Sequence, residues 1–234
     1  LADSMALQTD ATSAQSRRGV ALLRGLSSTS PDVARALGLI KGWDSNQSVD
    51  SAAAAIYEVW ANKHLGRATL AAVASPAVQA LIGAGSPDPI LTYLESAPAA
   101  VRDPILLASL ASALGELKDR LGADMSTWTW GRLHHAKFTP AIAALARPEM
   151  AAQMTLGPLQ IPGSASSPRA ASYSMTDFSQ TAGASVRFVM DVGAWDNSMA
   201  INTPGQSGDP MSPHYRDLFP LWAAGSYVPL LYSR

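Results

Sequence analysis

Three observations predict an α+β fold. The first 150 residues are helix-rich, with apolar side chains recurring at helical spacing. Residues 157–168 (GPLQIPGSASSP) are then dense in Gly, Pro and Ser, a loop composition. After them, residues 184–191 alternate apolar and polar at the two-residue period of a strand. Helices first and a few closing strands later fit α+β, since an α/β fold would interleave the two.

Taken in order, residues 1–26 are rich in Ala and Leu and read as helix. Asp50 is placed to cap the next helix, because its carboxylate can accept from free backbone N–H groups. Ala53, Ile56, Tyr57, Trp60 and His64 share one face of that helix, and Gly66 is expected to end it in a left-handed conformation. Residues 67–82 form a further helical stretch interrupted at Pro76. Ser86 and Pro87 read as N-cap and first helical position of a helix reaching Ser96. The strongest helix signature covers 104–121: Asp103 as cap, Pro104 at the first position, a stripe of Leu107, Leu110, Leu114, Leu117 and Leu121, and Gly122 beyond the end.

In the last third, Ala184, Val186, Phe188 and Met190 form the apolar row of a strand, and residues 197–203 suggest a second. Pro204-Gly205-Gln206-Ser207-Gly208 is expected to be a turn with a glycine at positive φ. Ser212 and Pro213 open a terminal helix whose apolar positions include Leu218, Phe219 and Trp222.

Composition narrows the function classes. Hydrophobic residues make up 47% of the 234 and charged residues 15%, where about a quarter is usual for soluble domains. This argues against disorder and predicts that other protein covers much of the surface. A net charge of -1 with no Lys/Arg cluster speaks against nucleic acid as partner. No apolar run approaches the ~18 residues of a membrane span. Cysteine is absent, which removes disulfides, a thiolate nucleophile and Cys-ligated zinc. The sequence opens on Leu1 without a signal-peptide pattern, so it is expected to be part of a longer polypeptide.

The residue types that carry chemistry form no complete constellation. Four histidines are present, His64, His134, His135 and His214, without metal-ligand spacing. A hydrolase elbow requires Gly-x-Ser-x-Gly, and Gly205-Gln206-Ser207-Gly208 has the wrong spacing, so Ser207 reads as a turn residue. Asp191 and Asp196 sit near strand ends, where carboxylates are usually solvated or cap turns, and Asn197 reads as part of a turn rather than as an oxyanion donor. Trp128 and Trp130 fall on one face if the segment is extended; they are either a core or interface pair or the wall of an apolar ligand pocket.

A set of motifs joins these pieces. It comprises Gly183-Ala184-Ser185-x-Arg187, then Asp191, Pro204-Gly205-Gln206-Ser207-Gly208, Ser212-Pro213-His214-Tyr215-x-Asp217, Trp222 and Gly225. Upstream lie Met5-Ala6-Leu7-Gln8-Thr9-Asp10, Trp43-Asp44 followed by Asp50-Ser51 and Ala53-Ala54, and Trp128-x-Trp130-Gly131-x-x-His134. In this order they resemble the C-terminal end of penicillin acylase family proteins, a family that includes acyl-homoserine-lactone and cephalosporin acylases.

The resemblance implies an N-terminal-nucleophile hydrolase with an αββα core, made from a precursor that cuts itself into α and β subunits. The nucleophile is then a Ser at the start of the β subunit, with its own α-amine as base. Residues 1–234 would be the C-terminal part of the β subunit, structural in role and not an independent domain. By the same resemblance, no catalytic, cofactor-binding or metal-binding residue is expected here, and any structural calcium belongs elsewhere in the enzyme. Expected partners are the α subunit, the N-terminal part of the β subunit and a small N-acyl substrate, in the periplasm or secreted. The competing expectation is a noncatalytic binding or scaffolding module that uses the Trp128/Trp130 region.

Overall fold

The computed structural model describes residues 1–82 and 86–233. The chain divides into two compact units, one of Thr12–Arg132 and one of Leu1–Ala11 with Leu133–Arg234. The α+β expectation holds: helices dominate the first unit, and short antiparallel strands appear in the second.

The predicted helix over residues 1–26 is two helices, α1 (Ala2–Gln8) and α2 (Ala14–Arg24). Between them the Ser13 hydroxyl accepts from Ser16 N at 3.0 Å and starts α2 afresh. In the Thr12–Arg132 unit follow α3 (Pro31–Lys41) and α4 (Ala52–Val59). The cap of α4 is Ser51, not Asp50; its hydroxyl accepts from Ala54 N at 3.1 Å. Gly66 does not end this helix. A π-helical segment, Trp60–Leu65, carries the rod onward into α5 (Gly66–Val73), and Gly66 has helical φ −59 and ψ −44. The wider π turn shifts the face, so Trp60, Ala61 and Leu65 are buried while Lys63 and His64 reach Glu116.

Pro76 opens α6 (Pro76–Ile82), and Pro87 opens α7 (Pro87–Ser96) behind Ser86, as the sequence predicts. The long helix begins earlier than expected. It is α8 (Ala99–Leu121), with Pro104 inside it and Asp103 paired to Arg102 rather than capping. Asp-Pro is equally compatible with a helix start and with an early helical turn. The good helix formers Ala99, Ala100 and Arg102 extend the helix backwards, at the cost of one hydrogen bond at Pro104. Leu106, Leu110, Ala113, Leu114 and Leu117 form its buried face, while Leu107 and Leu121 are only half-buried. Burial of each such leucine contributes about 1.5–3 kcal/mol. Gly122 ends α8 at φ 92, as its position suggested. A single turn, α9 (Trp130–Leu133), follows.

The second unit holds more strands than the alternation revealed. β1 (His135–Phe138) pairs antiparallel with β2 (Leu156–Gln160), and β3 (Ala171–Tyr173) with β4 (Gln180–Gly183). Thus strand first appears at His135, ahead of residue 150, and the predicted loop at 157–168 is strand at its start. A short helix, α10 (Pro148–Met154), leads into β2. The two expected strands are present as β5 (Val186–Val189) and β6 (Met199–Asn202), joined by β7 (Val228–Pro229) in the order β5-β6-β7. Ala136, Leu156, Ile161, Ile201, Tyr215, Phe219 and Trp222 form this unit's core.

The apolar row of β5 faces the other way from its sequence expectation. Val186, Phe188 and Met190 are half-exposed, whereas Arg187 is only 6% exposed. The 204–208 turn is present, but neither Gly205 nor Gly208 has positive φ. Gly205 is required by proximity instead, since a Cβ there would lie 2.3 Å from His214 O. The Ser212 hydroxyl accepts from His214 N at 3.2 Å and caps a 3-10 turn, Pro213–Tyr215. The terminal helix α11 (Leu218–Ala224) begins after it, with Phe219 and Trp222 buried.

Candidate functional site

The structure disperses the residues that sequence reasoning weighed for chemistry. His64 Nε2 lies 2.9 Å from Glu116 Oε2, His135 Nδ1 2.9 Å from Leu133 O, and the exposed His214 Nδ1 2.9 Å from Asp217 Oδ2. His134 is fully buried, with Nδ1 3.0 Å from Phe178 O; burial pushes its imidazole down to about 4 against the smaller upward pull of that carbonyl.

Asp191 and Asp196 serve turns. Asp191 accepts from Gly193 N and Ala194 N at 3.0 and 3.1 Å, and Asp196 from Tyr232 N and Ser233 N at 2.7 and 2.8 Å. Asn197 donates to Asp191 Oδ2 at 3.4 Å, which places it in the same turn. The Ser207 hydroxyl accepts from Asp209 N at 3.1 Å. Among the described residues, no group of three or more His, Asp or Glu is placed to hold a metal ion.

Trp128 and Trp130 form no shared extended face. Trp128 follows a 3-10 turn and Trp130 starts α9. They are 2% and 0% exposed, and Trp128 Nε1 donates to Gly122 O at 2.8 Å. Both are packed in the core, and Trp128 also lines a cleft of ≈ 320 Å³ beside α3 and α8.

The concentration of unusual chemistry lies instead around the end of α11. Gly225 takes φ 79 and closes that helix, with Gly225 N donating to Trp222 O and Ser226 N to Leu221 O. Two guanidinium groups then bind the helix's last carbonyls. Arg187 Nη2 donates to Trp222 O at 2.7 Å, and Arg169 Nη2 donates to Ala223 O. Cations at a helix C-terminus are favoured by the free carbonyls and the aligned peptide dipoles. Gly225 also makes room, since a Cβ there would lie 3.0 Å from Arg169 Nη1.

Arg187 is brought in by the inward register of β5, between the rings of Trp222 and Tyr227 at 5.7 and 5.8 Å. Arg169 comes from the loop after β2, held by its own N–H to Asp10 O at 2.8 Å. Both are buried, 8% exposed for Arg169 and 6% for Arg187. Among the described residues neither forms an ion pair with a carboxylate. Burial, and then repulsion from Arg187, bring Arg169 down to about 10; burial likewise lowers Arg187.

The pair lines a cleft of ≈ 310 Å³ together with Gln8, Gln180, Val186 and Phe188. Gln8 bridges its rim, accepting from the Tyr227 hydroxyl at 2.7 Å and donating to Phe188 O at 3.1 Å. A wider cleft of ≈ 560 Å³ in the same unit, lined by Phe138, Leu156, Tyr215 and Trp222 among others, has its one charged side chain, Lys137, exposed. Sequence reading did not find the arginine cleft. Arg169 stood in a loop, and Arg187 occupied the polar row of a strand, which reads as solvent-facing; its only signal was its place in the Gly183–Arg187 motif.

A family model described as penicillin amidase matches residues 1–234, the whole chain. This chain belongs to the penicillin amidase family. Among its relatives, the acyl-homoserine lactone acylase QuiP of Pseudomonas fluorescens strain Pf0-1 is 30% identical over 213 residues, covering 82% of this chain and 24% of that protein. The protein of the same name from Pseudomonas putida KT2440 is 31% identical, covering 83% of this chain and 26% of its own length. The penicillin acylase 2 proenzyme of Pseudomonas sp. SE83 is 51% identical over 53 residues, 23% of this chain and 7% of the proenzyme. The chain therefore spans about a quarter of the QuiP relatives. In fold it is similar to a thermostable penicillin G acylase from Alcaligenes faecalis, with a TM-score of 0.53 and 18% identity over 96% of this chain and 44% of that one. Members of the penicillin amidase family named here are acylases, which agrees with the hydrolase class that the sequence motifs implied.

Proposed function

We propose that residues 1–234 form the C-terminal structural part of the β subunit of an amide hydrolase. The enzyme removes the acyl group from a β-lactam, an acyl-homoserine lactone or a similar N-acyl compound. The observation that carries this reading is the family match over the whole chain, combined with QuiP relatives about four times as long. The nucleophile is then a processed N-terminal Ser in another segment, with its α-amine as base. The dispersed histidines and turn-bound carboxylates support a structural role for this segment. Its sparse charge and half-exposed β5 row fit a surface that the α subunit and the rest of the β subunit cover. The precursor is processed in the periplasm or after secretion, and its chemistry needs no coenzyme from this chain.

The test is to express the full-length polypeptide, sequence the N-termini of its mature chains, and assay a chromogenic panel of N-acyl amides of graded acyl length. A mature chain beginning with Ser and hydrolysis of at least one amide are expected. Hydrolysis by residues 1–234 alone would overturn the assignment of the nucleophile to another segment.

A further inference from the structure

The cleft at the end of α11 holds two opposite deficits. Arg187 Nε is buried and has no acceptor, and Gln180 Oε1 is buried and has no donor. Beside Arg187 stands a second guanidinium, Arg169, and among the described residues no carboxylate pairs with either. The carbonyls of Trp222 and Ala223 satisfy some of the N–H groups but bring only partial negative charge. Two like charges buried side by side without a counter-charge are costly, and such groups are ordinarily paired.

We propose that Arg169 and Arg187 form a receptor for one carboxylate, supplied by an Asp or Glu side chain of the precursor outside residues 1–234. This rests on the reading of the chain as one segment of a longer acylase. Charge complementarity sets the ligand class, because a planar guanidinium with a free Nε–H matches a carboxylate oxygen. The second deficit selects a polypeptide over a free acid. An acidic residue brings a carboxylate for Arg187 and a backbone N–H for Gln180, whereas a small carboxylate brings only the first. The lip of the cleft agrees, since Val186 and Phe188 are each 49% exposed and offer an apolar surface for a chain seated there. Among the described residues β6 is the one strand paired with β5, and on β5 itself Gln8 holds the Phe188 carbonyl, so the incoming residue is expected to engage the cleft through its side chain and one N–H rather than as an added strand.

The experiment uses the processed full-length protein. Its crystal structure is expected to place a carboxylate oxygen of another segment within hydrogen-bond distance of Arg187 Nε or an Arg169 nitrogen. Arg187→Met, and replacement of that acid by Leu, are then each expected to lower the denaturant midpoint and release subunits on gel filtration. The two together should restore much of the loss, because neither charge is left buried alone. If Arg187→Met fails to assemble at all, the parent structure still decides. A cleft holding only water, or only a buffer anion, overturns the proposal. So does a crystal of the parent protein soaked in acetate that shows acetate bound between Arg169 and Arg187, which would show a diffusible occupant. Amide hydrolysis is scored separately. An active enzyme without the carboxylate sinks this proposal alone, and an inactive one with it sinks only the acylase reading.

Discussion

His134 gives the most direct test of how burial controls this protein's chemistry. The ring is 0% exposed, its Nδ1 lies 3.0 Å from Phe178 O, and it meets the Tyr173 ring edge-on at 5.4 Å. Burial disfavours the imidazolium and lowers the group from 6.5 to about 4, although the Phe178 carbonyl pulls the other way. The unfolded chain therefore binds the proton first. Stability from the neutral ring is fully present above pH 6.5 and is lost progressively as the pH falls towards 4. At 1.36 kcal/mol per pH unit, the loss amounts to about 3 kcal/mol.

In His134→Asn the amide N–H₂ can take the place of Nδ1–H and donate to Phe178 O. The smaller side chain has a packing cost, but that cost does not titrate. Urea denaturation of the full-length protein, followed by tryptophan fluorescence between pH 4 and 7.5, separates the two effects. The parent is expected to be the more stable near pH 7, and its advantage to shrink by about 3 kcal/mol by pH 4. Parallel stability curves across that range would refute the argument. So would an imidazole resonance of His134 that titrates near 6.5.

Three further expectations follow from the packing. In Gly19→Ala the new Cβ would lie 2.6 Å from Tyr57 Cε2, on a ring held between Trp43 and Trp60 at 5.5 and 5.6 Å. Overpacking should outweigh the gain in helix propensity and lower stability by about 1–2 kcal/mol in denaturation; a stabilised variant would show that the ring yields. Glu116 loses by burial but gains more from Lys63, His64 and Arg120, which together hold it at about 2. Its contribution is thus present above about pH 4.5 and lost towards pH 2, so Glu116→Gln should cost about 1 kcal/mol at pH 7 after solvent screening. A gap between the two proteins that persists unchanged at pH 2 would contradict this. Ser212→Ala should cost about 0.5 kcal/mol, since it removes one exposed cap, and leave kcat of the full enzyme unchanged. A large fall in kcat at constant Tm would instead give this turn a direct role.

The sequence by itself determined the local elements. The breaks at Pro76 and Pro87, the stop at Gly122, the buried Leu110–Leu117 face of α8 and the positions of β5 and β6 all follow from periodicity and from residues with restricted backbones. Such signals act within a few residues and need no distant partner, although the expected stop at Gly66 shows that packing can override one. The family was also legible, because its motifs are spaced along the whole chain. Tertiary structure decided the rest. It widened Trp60–Leu65 into a π turn, and paired four strands, β1 to β4, too short to show a period. It also chose which row of β5 is buried. Alternation states that two faces differ, but the partner that covers each face lies far away in sequence. Here the C-terminal carbonyls of α11 and the rings of Trp222 and Tyr227 draw Arg187 inward, and Val186 and Phe188 are left outward as a consequence. The arginine cleft was invisible for the same reason: residues 169, 187, 222 and 223 become neighbours only when the strands and α11 have packed.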